Sequence, residues 1–239
     1  MTNNKVVSIV QSSYIPWKGY FDIIDRSDHF ILLDDVQFTK RDWRTRNKIK
    51  TPNDEKWLSI PVNKGSRLQR IFETEIHDSQ WNTRHWSIIE NAYRKAPYFN
   101  EYSGFVKGLY ENATQTSLSE INHHFLVNLC QWLGIDTPIS WSMDYGINTD
   151  DATVRLVQLC QAENASTYVS GPSASDYINV ERFEDAGIEV VFFEYDGYKA
   201  YEQLSQPFTH FVSILDMIFM CGKQSLELIR ENTVAGLNR

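Results

Sequence analysis

The segment from Val6 to Val36 constrains the fold more than any other part of this chain. Val6–Val10 is an apolar run of strand length. Gln11-Ser-Ser-Tyr-Ile-Pro-Trp-Lys-Gly-Tyr20 then carries a glycine-bearing turn into the helical Phe21-Asp-Ile-Ile24, and Ile31-Leu-Leu-Asp-Asp-Val36 is a second apolar run closing on two carboxylates. Strand, turn, short helix and strand in that order predict two neighbouring parallel strands joined by a crossover. Polar groups then gather at the strands' carboxyl ends, where open α/β sheets take their ligands.

Periodicity extends this pattern along the chain. Trp43–Lys50, the turn Thr51-Pro-Asn-Asp54 and Trp57–Val62 predict a β-hairpin, and the alternation in Ile71–Ile76 predicts a half-exposed strand. From Gln80 the spacing becomes helical. Trp81, His85, Ile88, Ile89 and Ala92 share a face, and further helices are expected near Tyr98–Asn112 and Leu118–Leu133, the last closed by Gly134. Alternation returns after Pro138: strand Ile139–Met143, helix Asp151–Glu163, strand Thr167–Ser170, a mostly helical Ser175–Ala186 and strand Ile188–Tyr195. Helical segments at Phe211–Cys221 and Ser225–Glu231 follow. The expected architecture is α/β, a Rossmann-like, mostly parallel sheet with a β-hairpin excursion and a helical insertion in the middle. One domain spans 1–239, with 79–135 as the insertion.

Composition narrows the classes of function. The 239 residues are 42% hydrophobic and 13% aromatic, enough to bury a large core. A formal charge of −8 disfavours a general nucleic-acid binder, which needs basic excess on at least one face. The basic residues are nevertheless clustered: Lys40, Arg41, Arg44, Arg46, Lys48, Lys50, Lys56, Lys64, Arg67 and Arg70 crowd beside the expected strand ends. Such a patch suits a phosphorylated small molecule, or is a solvated hairpin face. No apolar stretch reaches bilayer length, and Met1–Lys5 runs into a strand-like segment instead of a signal-peptide core, which points to a cytoplasmic chain without membrane insertion. Cys130, Cys160 and Cys221 lack C-x-x-C spacing and read as buried thiols. With no histidine pair at ligand spacing, no metal site is expected. Walker, GxGxxG and GxSxG motifs are absent from the sequence, so P-loop, dinucleotide and serine-hydrolase chemistry lose ground.

Several residues stand out as candidates. Asp34 and Asp35, adjacent and pointing to opposite faces, could split into one functional and one structural carboxylate. Lys40, Arg41 and Arg46 with Asn47 form a donor set for phosphate or carboxylate, Arg through its bidentate fork. Tyr14, Trp17 and Trp43 can stack a base or sugar ring, or can be core. Ser170-Gly171-Pro172-Ser173, between strand and helix, is either an anion-binding turn or a connector opening on the same sheet edge as the Tyr14–Gly19 turn. His85 lies among apolar residues, where a histidine is usually a satisfied core residue.

The motif Gln11-x-x-Tyr14-x-Pro16-Trp17-x-Gly19-Tyr-Phe resembles that of the WbqC-like family of bacterial proteins. The likeness continues in Leu33-Asp34-Asp35-Val36-Gln37-Phe38-x-Lys40-Arg41-x-Trp43-x-x-Arg46-Asn47 and Trp57-Leu58-x-Ile-Pro61-Val62. Further on it takes in Trp81 with His85, Ala96-Pro97-Tyr98-Phe99, Tyr168-x-Ser170-Gly171-Pro172 and Ser213-Ile-Leu215-Asp216. Met220-Cys-Gly222-Lys223 stands where Asn-x-Gly-Pro is expected. The resemblance implies a setting in surface-polysaccharide and O-antigen (lipopolysaccharide) biosynthesis, where nucleotide-linked sugars are modified. It also raises His85 to the first choice of general acid or base, beside Asp34 and Asp35, and places Gln11, Tyr14, Trp17, Gly19, Lys40, Arg41, Arg46, Asn47, Ser170 and Gly171 in the substrate-binding set.

A fainter resemblance links the stretch from Val7 to Phe38 to pantothenate synthetases and related nucleotidyltransferase-like folds. Those enzymes place His-x-Gly-His where this chain has Trp17-Lys18-Gly19-Tyr20. The glycine is kept and both imidazoles are gone, so adenylyl transfer is disfavoured unless Lys18, Lys40 or Arg41 takes over the phosphates. The expected function is transfer of an acyl or aminoacyl group to the amine of a nucleotide-linked sugar. The alternatives are a non-catalytic sugar-nucleotide-binding or partner-docking protein, or an adenylate-forming enzyme. The cofactor stays open, and the partner is a small molecule, with room for a homodimer.

Overall fold

The computed structural model describes residues 4–63, 65–176, 178–234 and 237. Met1–Asn3 and Lys64 of the basic cluster lie outside the described residues. Val6–Val10 forms strand β1, Lys18–Asp25 helix α1 and His29–Leu32 strand β2. The predicted hairpin is β3 (Arg46–Lys50) and β4 (Glu55–Ser59), antiparallel with Lys48 opposite Trp57. Helices α2 (Trp81–Tyr93), α3 (Phe99–Glu111) and α4 (Leu118–Leu133) follow, and α4 ends on Gly134 at φ 86°, a left-handed conformation that glycine adopts at little cost. The remaining elements are β5 (Ile139–Trp141), α5 (Ala152–Ala162), β6 (Thr167–Ser170), α6 (Glu181–Asp185), β7 (Glu189–Phe192), α7 (Leu215–Cys221) and α8 (Ser225–Arg230). Asp151 caps α5 by accepting from the Val154 N–H at 3.0 Å.

Among the described residues the main sheet has five strands in the order β5-β2-β1-β6-β7, every pairing parallel. The sheet is covered on both faces, which explains why its strands read as apolar runs. Val7, Ile9, Ile31 and Tyr168 pack under α5 and α6, against Leu156, Leu159 and Phe183. On the other face Phe30, Leu32 and Val169 join the larger core built with α1, α2, α3, α4 and α7. The chain leaves β1 toward β2 on one side and β6 toward β7 on the other. The crevice beyond β1 and β6 is therefore the topological switch point, where an open parallel sheet leaves room for a ligand.

The helix expected over Phe211–Cys221 begins only at Leu215, the strand expected over Ile139–Met143 ends at Trp141, and two other segments depart further from their sequence patterns. Ile71–Ile76 is not a strand: the Thr74 N–H bonds the Ile71 carbonyl at 3.0 Å, and only isolated bridges join Glu75 to Ser117 and Ile76 to Val62. Ile71 and Thr74, three apart, are the fully buried pair, and the Phe72 N–H is claimed by the Asp34 carbonyl at 3.0 Å. Tertiary hydrogen bonds thus replace a ladder. Ser175–Ala186 divides into a 3-10 turn at Pro172–Asp176 and the short α6, with Tyr177 outside the described residues.

Candidate functional site

The crevice at the switch point has two adjacent compartments with Val10 and Arg44 between them. The polar one, about 610 Å³, is lined by Gln11 after β1, by Ser170, Gly171 and Ser173 after β6, and by Asp42, Arg44 and Arg155. Arg44 comes from the loop leading into the hairpin, and Arg155 from the first turn of α5. Arg44 donates through Nη1 to the Gln11 side-chain oxygen and lies 3.7 Å through Nη2 from Asp42. Arg155 donates through Nη2 to the Thr149 carbonyl, and its Nε is 3.7 Å from Asp35, beyond hydrogen-bond length. The Nε of Arg44 and the Nε of Arg155 are both buried without a hydrogen-bond partner among the described residues. Two guanidinium groups lining one crevice form a donor set that suits an anion.

Asp42 shares this wall. Partial burial works to raise its pKa, but the Arg44 cation, the Thr39 hydroxyl and the Trp43 N–H together hold it below the ordinary carboxylate value. It is ionised at neutral pH. Ser170 accepts from the Tyr168 hydroxyl at 3.1 Å, which leaves its own proton free to donate.

The second compartment, about 350 Å³, shares Val10 and Arg44 with the first and is aromatic: Trp17, Tyr20, Trp43, Tyr195 and Phe211 line it. Trp17 sits 4.8 Å from Tyr195 and 5.4 Å from Phe211, ring centre to ring centre. Gly19 makes this wall, since a Cβ there would stand 2.4 Å from the Trp17 ring. Its glycine serves close packing of the indole. Asn47 also borders the compartment, with its amide nitrogen on the Tyr14 and Ile15 carbonyls at 3.3 and 2.9 Å and its oxygen on the Lys48 N–H at 2.8 Å.

Of the residues singled out by sequence, Gln11, Ser170 and Gly171 line the polar compartment, and Trp17 and Asn47 the aromatic one. Asp34 and Asp35 both lie in the loop after β2, and neither lines the crevice. Asp34 is buried, accepts from the Ser12 N–H at 2.9 Å and from Ser119 of α4, and burial raises its pKa despite those bonds. Asp35 accepts from Ser142 at 2.6 Å and faces Arg155, so it stands behind the crevice wall. Lys40 lines a separate cavity with Arg67, Arg41 is exposed with φ 58°, and Arg46 lies 4.2 Å over the Trp57 ring. Lys18 is buried against the rings of Tyr198 and Tyr201, and burial lowers its pKa to about 8. None of these four cations lines the crevice.

His85 and Tyr14 lie in the core. The Tyr14 hydroxyl is 2.8 Å from His85 Nδ1 and 2.7 Å from the Tyr110 hydroxyl, and His85 Nε2 is 3.2 Å from the Ser59 carbonyl. Since a carbonyl only accepts, Nε2 carries the proton and Nδ1 accepts from Tyr14. His85 lines neither compartment. Burial drives its pKa down to about 4, against an ordinary 6.5. The folded state then refuses a proton that the unfolded state accepts, so stability is full above pH 6.5 and is lost as pH falls toward 4. Urea unfolding should show about 2 kcal/mol less stability at pH 5 than at pH 7.5 from this group. A His85→Gln variant should lack that increment, and an unchanged pH dependence in it would remove His85 as the source.

Arg155, Asp42, Tyr195 and Phe211 line the crevice without standing out in the sequence, and Arg44 stands out there only as a member of the basic cluster. For Arg44 the signal was present, in the cluster beside the strand ends. For Arg155 there was none, because one arginine on an amphipathic helix is normally a solvated residue. Cys130 and Cys160 are buried and pushed up to about 12, so both are thiols at neutral pH.

A parallel α/β sheet whose switch point carries a two-armed arginine crevice and an aromatic annex is the class of protein that this fold and site define. Residues 11–228 match the WbqC-like protein family, and the chain belongs to it. That family is linked to polysaccharide biosynthesis in general. The chain is 44% identical over 227 residues to the uncharacterized protein Rv1507c of Mycobacterium tuberculosis, covering 95% of this chain and 98% of that one. No solved structure matches the chain. Among the described residues no helix is long and apolar enough to cross a membrane.

Proposed function

We propose that this protein is an enzyme of surface-polysaccharide biosynthesis that transfers an acyl or aminoacyl group to the amine of a nucleotide-linked sugar. The observation that carries the reading is the pair Arg44 and Arg155, brought from distant parts of the chain to line one crevice with room for a nucleotide-linked sugar. Two guanidinium groups suit the phosphates of such a substrate. Ser170 offers a hydroxyl donor, and the Asp42 carboxylate an acceptor for the sugar's amine or hydroxyls. In the reaction the amine nitrogen attacks the acyl carbonyl carbon, an N–C bond forms, the bond to the donor's leaving group breaks and one proton leaves the nitrogen. Holding both reactants in one crevice is the catalytic contribution that this geometry supports.

Asp34, Asp35 and His85 enter this scheme as positioning residues. Asp35 steadies Arg155, Asp34 ties the turn after β1 to α4, and the Tyr14–His85–Tyr110 chain anchors that turn from below. The test is incubation of the purified protein with a nucleotide-linked amino sugar and an acyl thioester or aminoacyl donor, followed by mass spectrometry of the sugar. A mass gain equal to the acyl group, lost in Arg155→Met, is the expected result. Tight binding of the sugar nucleotide without any mass gain with either donor would instead favour a non-catalytic sugar-nucleotide-binding protein.

A further inference from the structure

We infer that the aromatic compartment is the nucleobase subsite, so that the base stacks among Trp17, Trp43 and Phe211, the diphosphate crosses at Arg44, and the sugar enters the polar compartment. This rests on the proposed function and fixes which end of the substrate goes where. The argument starts from what each compartment has left to offer. In the aromatic one the Asn47 amide is fully spent on backbone groups, and the Tyr20 hydroxyl donates to the Gln11 carbonyl at 2.9 Å. The hydroxyls of Ser13 and Tyr195 remain.

A hexose placed there would bury several hydroxyls against two partners, and unpaired buried hydroxyls cost free energy. A nucleobase presents two π faces and a short polar edge, which matches rings with two spare hydroxyls. The larger compartment adds polar groups beside its apolar residues, with the Ser170 hydroxyl and the Asp42 carboxylate facing one space. Arg44 lines both compartments, which puts its guanidinium at the crossing between them. The exposed aromatic side chains support the same assignment: Phe211 is 61% and Trp43 43% exposed, both line this compartment, and the exposed Trp57 lies 5.6 Å from Trp43. Large rings left open to solvent gather at its mouth.

Calorimetric titration of uridine diphosphate, adenosine diphosphate and inorganic pyrophosphate into the full chain tests this. Stacking predicts that at least one nucleoside diphosphate binds about tenfold or more tightly than pyrophosphate. Trp43→Leu and Phe211→Leu, chosen because both side chains reach solvent and lie outside the buried core, should erase most of that gap while pyrophosphate affinity stays unchanged. Arg44→Met should weaken nucleotide and pyrophosphate alike. If pyrophosphate binds as tightly as both nucleotides, or if the ring variants leave nucleotide affinity intact while Arg44→Met lowers it, the base assignment fails and the proposed function survives. If the unaltered protein binds none of the three probes, both fall.

Discussion

Arg155→Met is expected to weaken binding of a nucleoside diphosphate by about 100-fold, or roughly 2.7 kcal/mol, with the fold intact by circular dichroism. The expectation follows from how the side chain is held. Its Nη2 is anchored on the Thr149 carbonyl and Asp35 stands 3.7 Å behind Nε, so the guanidinium is pre-oriented before any ligand arrives. Little further ordering is needed on binding, which is where a flexible surface cation loses its advantage. Arg155→Lys should recover only part of the affinity, because an ammonium keeps the charge and loses the planar fork. Arg44→Met should cost a comparable factor. If both cations share one diphosphate, the double variant should lose less than the product of the two single losses. Titration calorimetry at fixed ionic strength reads all of these, and dissociation constants within threefold of the unaltered protein would discard the clamp.

The second large effect is on stability. Asp34→Ala should lower the unfolding free energy by about 3 kcal/mol, measured by urea denaturation. Its carboxylate is fully buried and satisfies the Ser12 N–H and the Ser119 hydroxyl, which in turn accepts from the Trp141 indole at 3.1 Å. Removing the acceptor leaves buried donors without a partner, which costs more than the bond itself contributes. The same neighbourhood aims the crevice: Asn122, one turn further along α4, bonds the Ser12 hydroxyl and the Arg44 carbonyl, each at 3.0 Å. Asp34→Ala should therefore also weaken nucleotide binding, through a displaced Arg44 backbone. Stability within 1 kcal/mol of the unaltered protein would show that Asp34 does not hold this junction.

These bonds give the inserted helices a functional meaning. α4 touches the turn after β1, the loop carrying Arg44 and, through Ser119, the loop after β2. The insertion between β4 and β5 is thus one of the supports of the crevice, and its sequence reveals only a helical period. Ser119 and Asn122 are three apart on one face of α4, with Ile121 and Phe125 packing beside them into the core. Polar residues at helical spacing on a buried face are the trace such a support leaves in a sequence.

What the sequence alone determined is local. The mostly apolar runs Val6–Val10 and His29–Leu32 read as buried strands, because a strand covered on both faces favours apolar side chains in near-continuous order. Gly134 announced the end of α4 because an αL residue there favours glycine, and the turn Thr51–Asp54 announced the hairpin. Gln11, Ser170 and Gly171 could be placed at one crevice because strand carboxyl ends in such a sheet face the same edge. The tertiary structure alone decided which charges enter the crevice. Arg44, Arg46, Lys40 and Arg41 are near neighbours in the chain and look equivalent in sequence, yet only Arg44 lines the crevice. Its direction is set by the Asn122 bond to its backbone and by Gln11. Arg155 reaches the same space from 111 residues further along the chain, carried by α5 over the sheet. A period or a turn residue acts through neighbours a few positions away, whereas a side chain's aim depends on contacts with distant segments that only folding brings together.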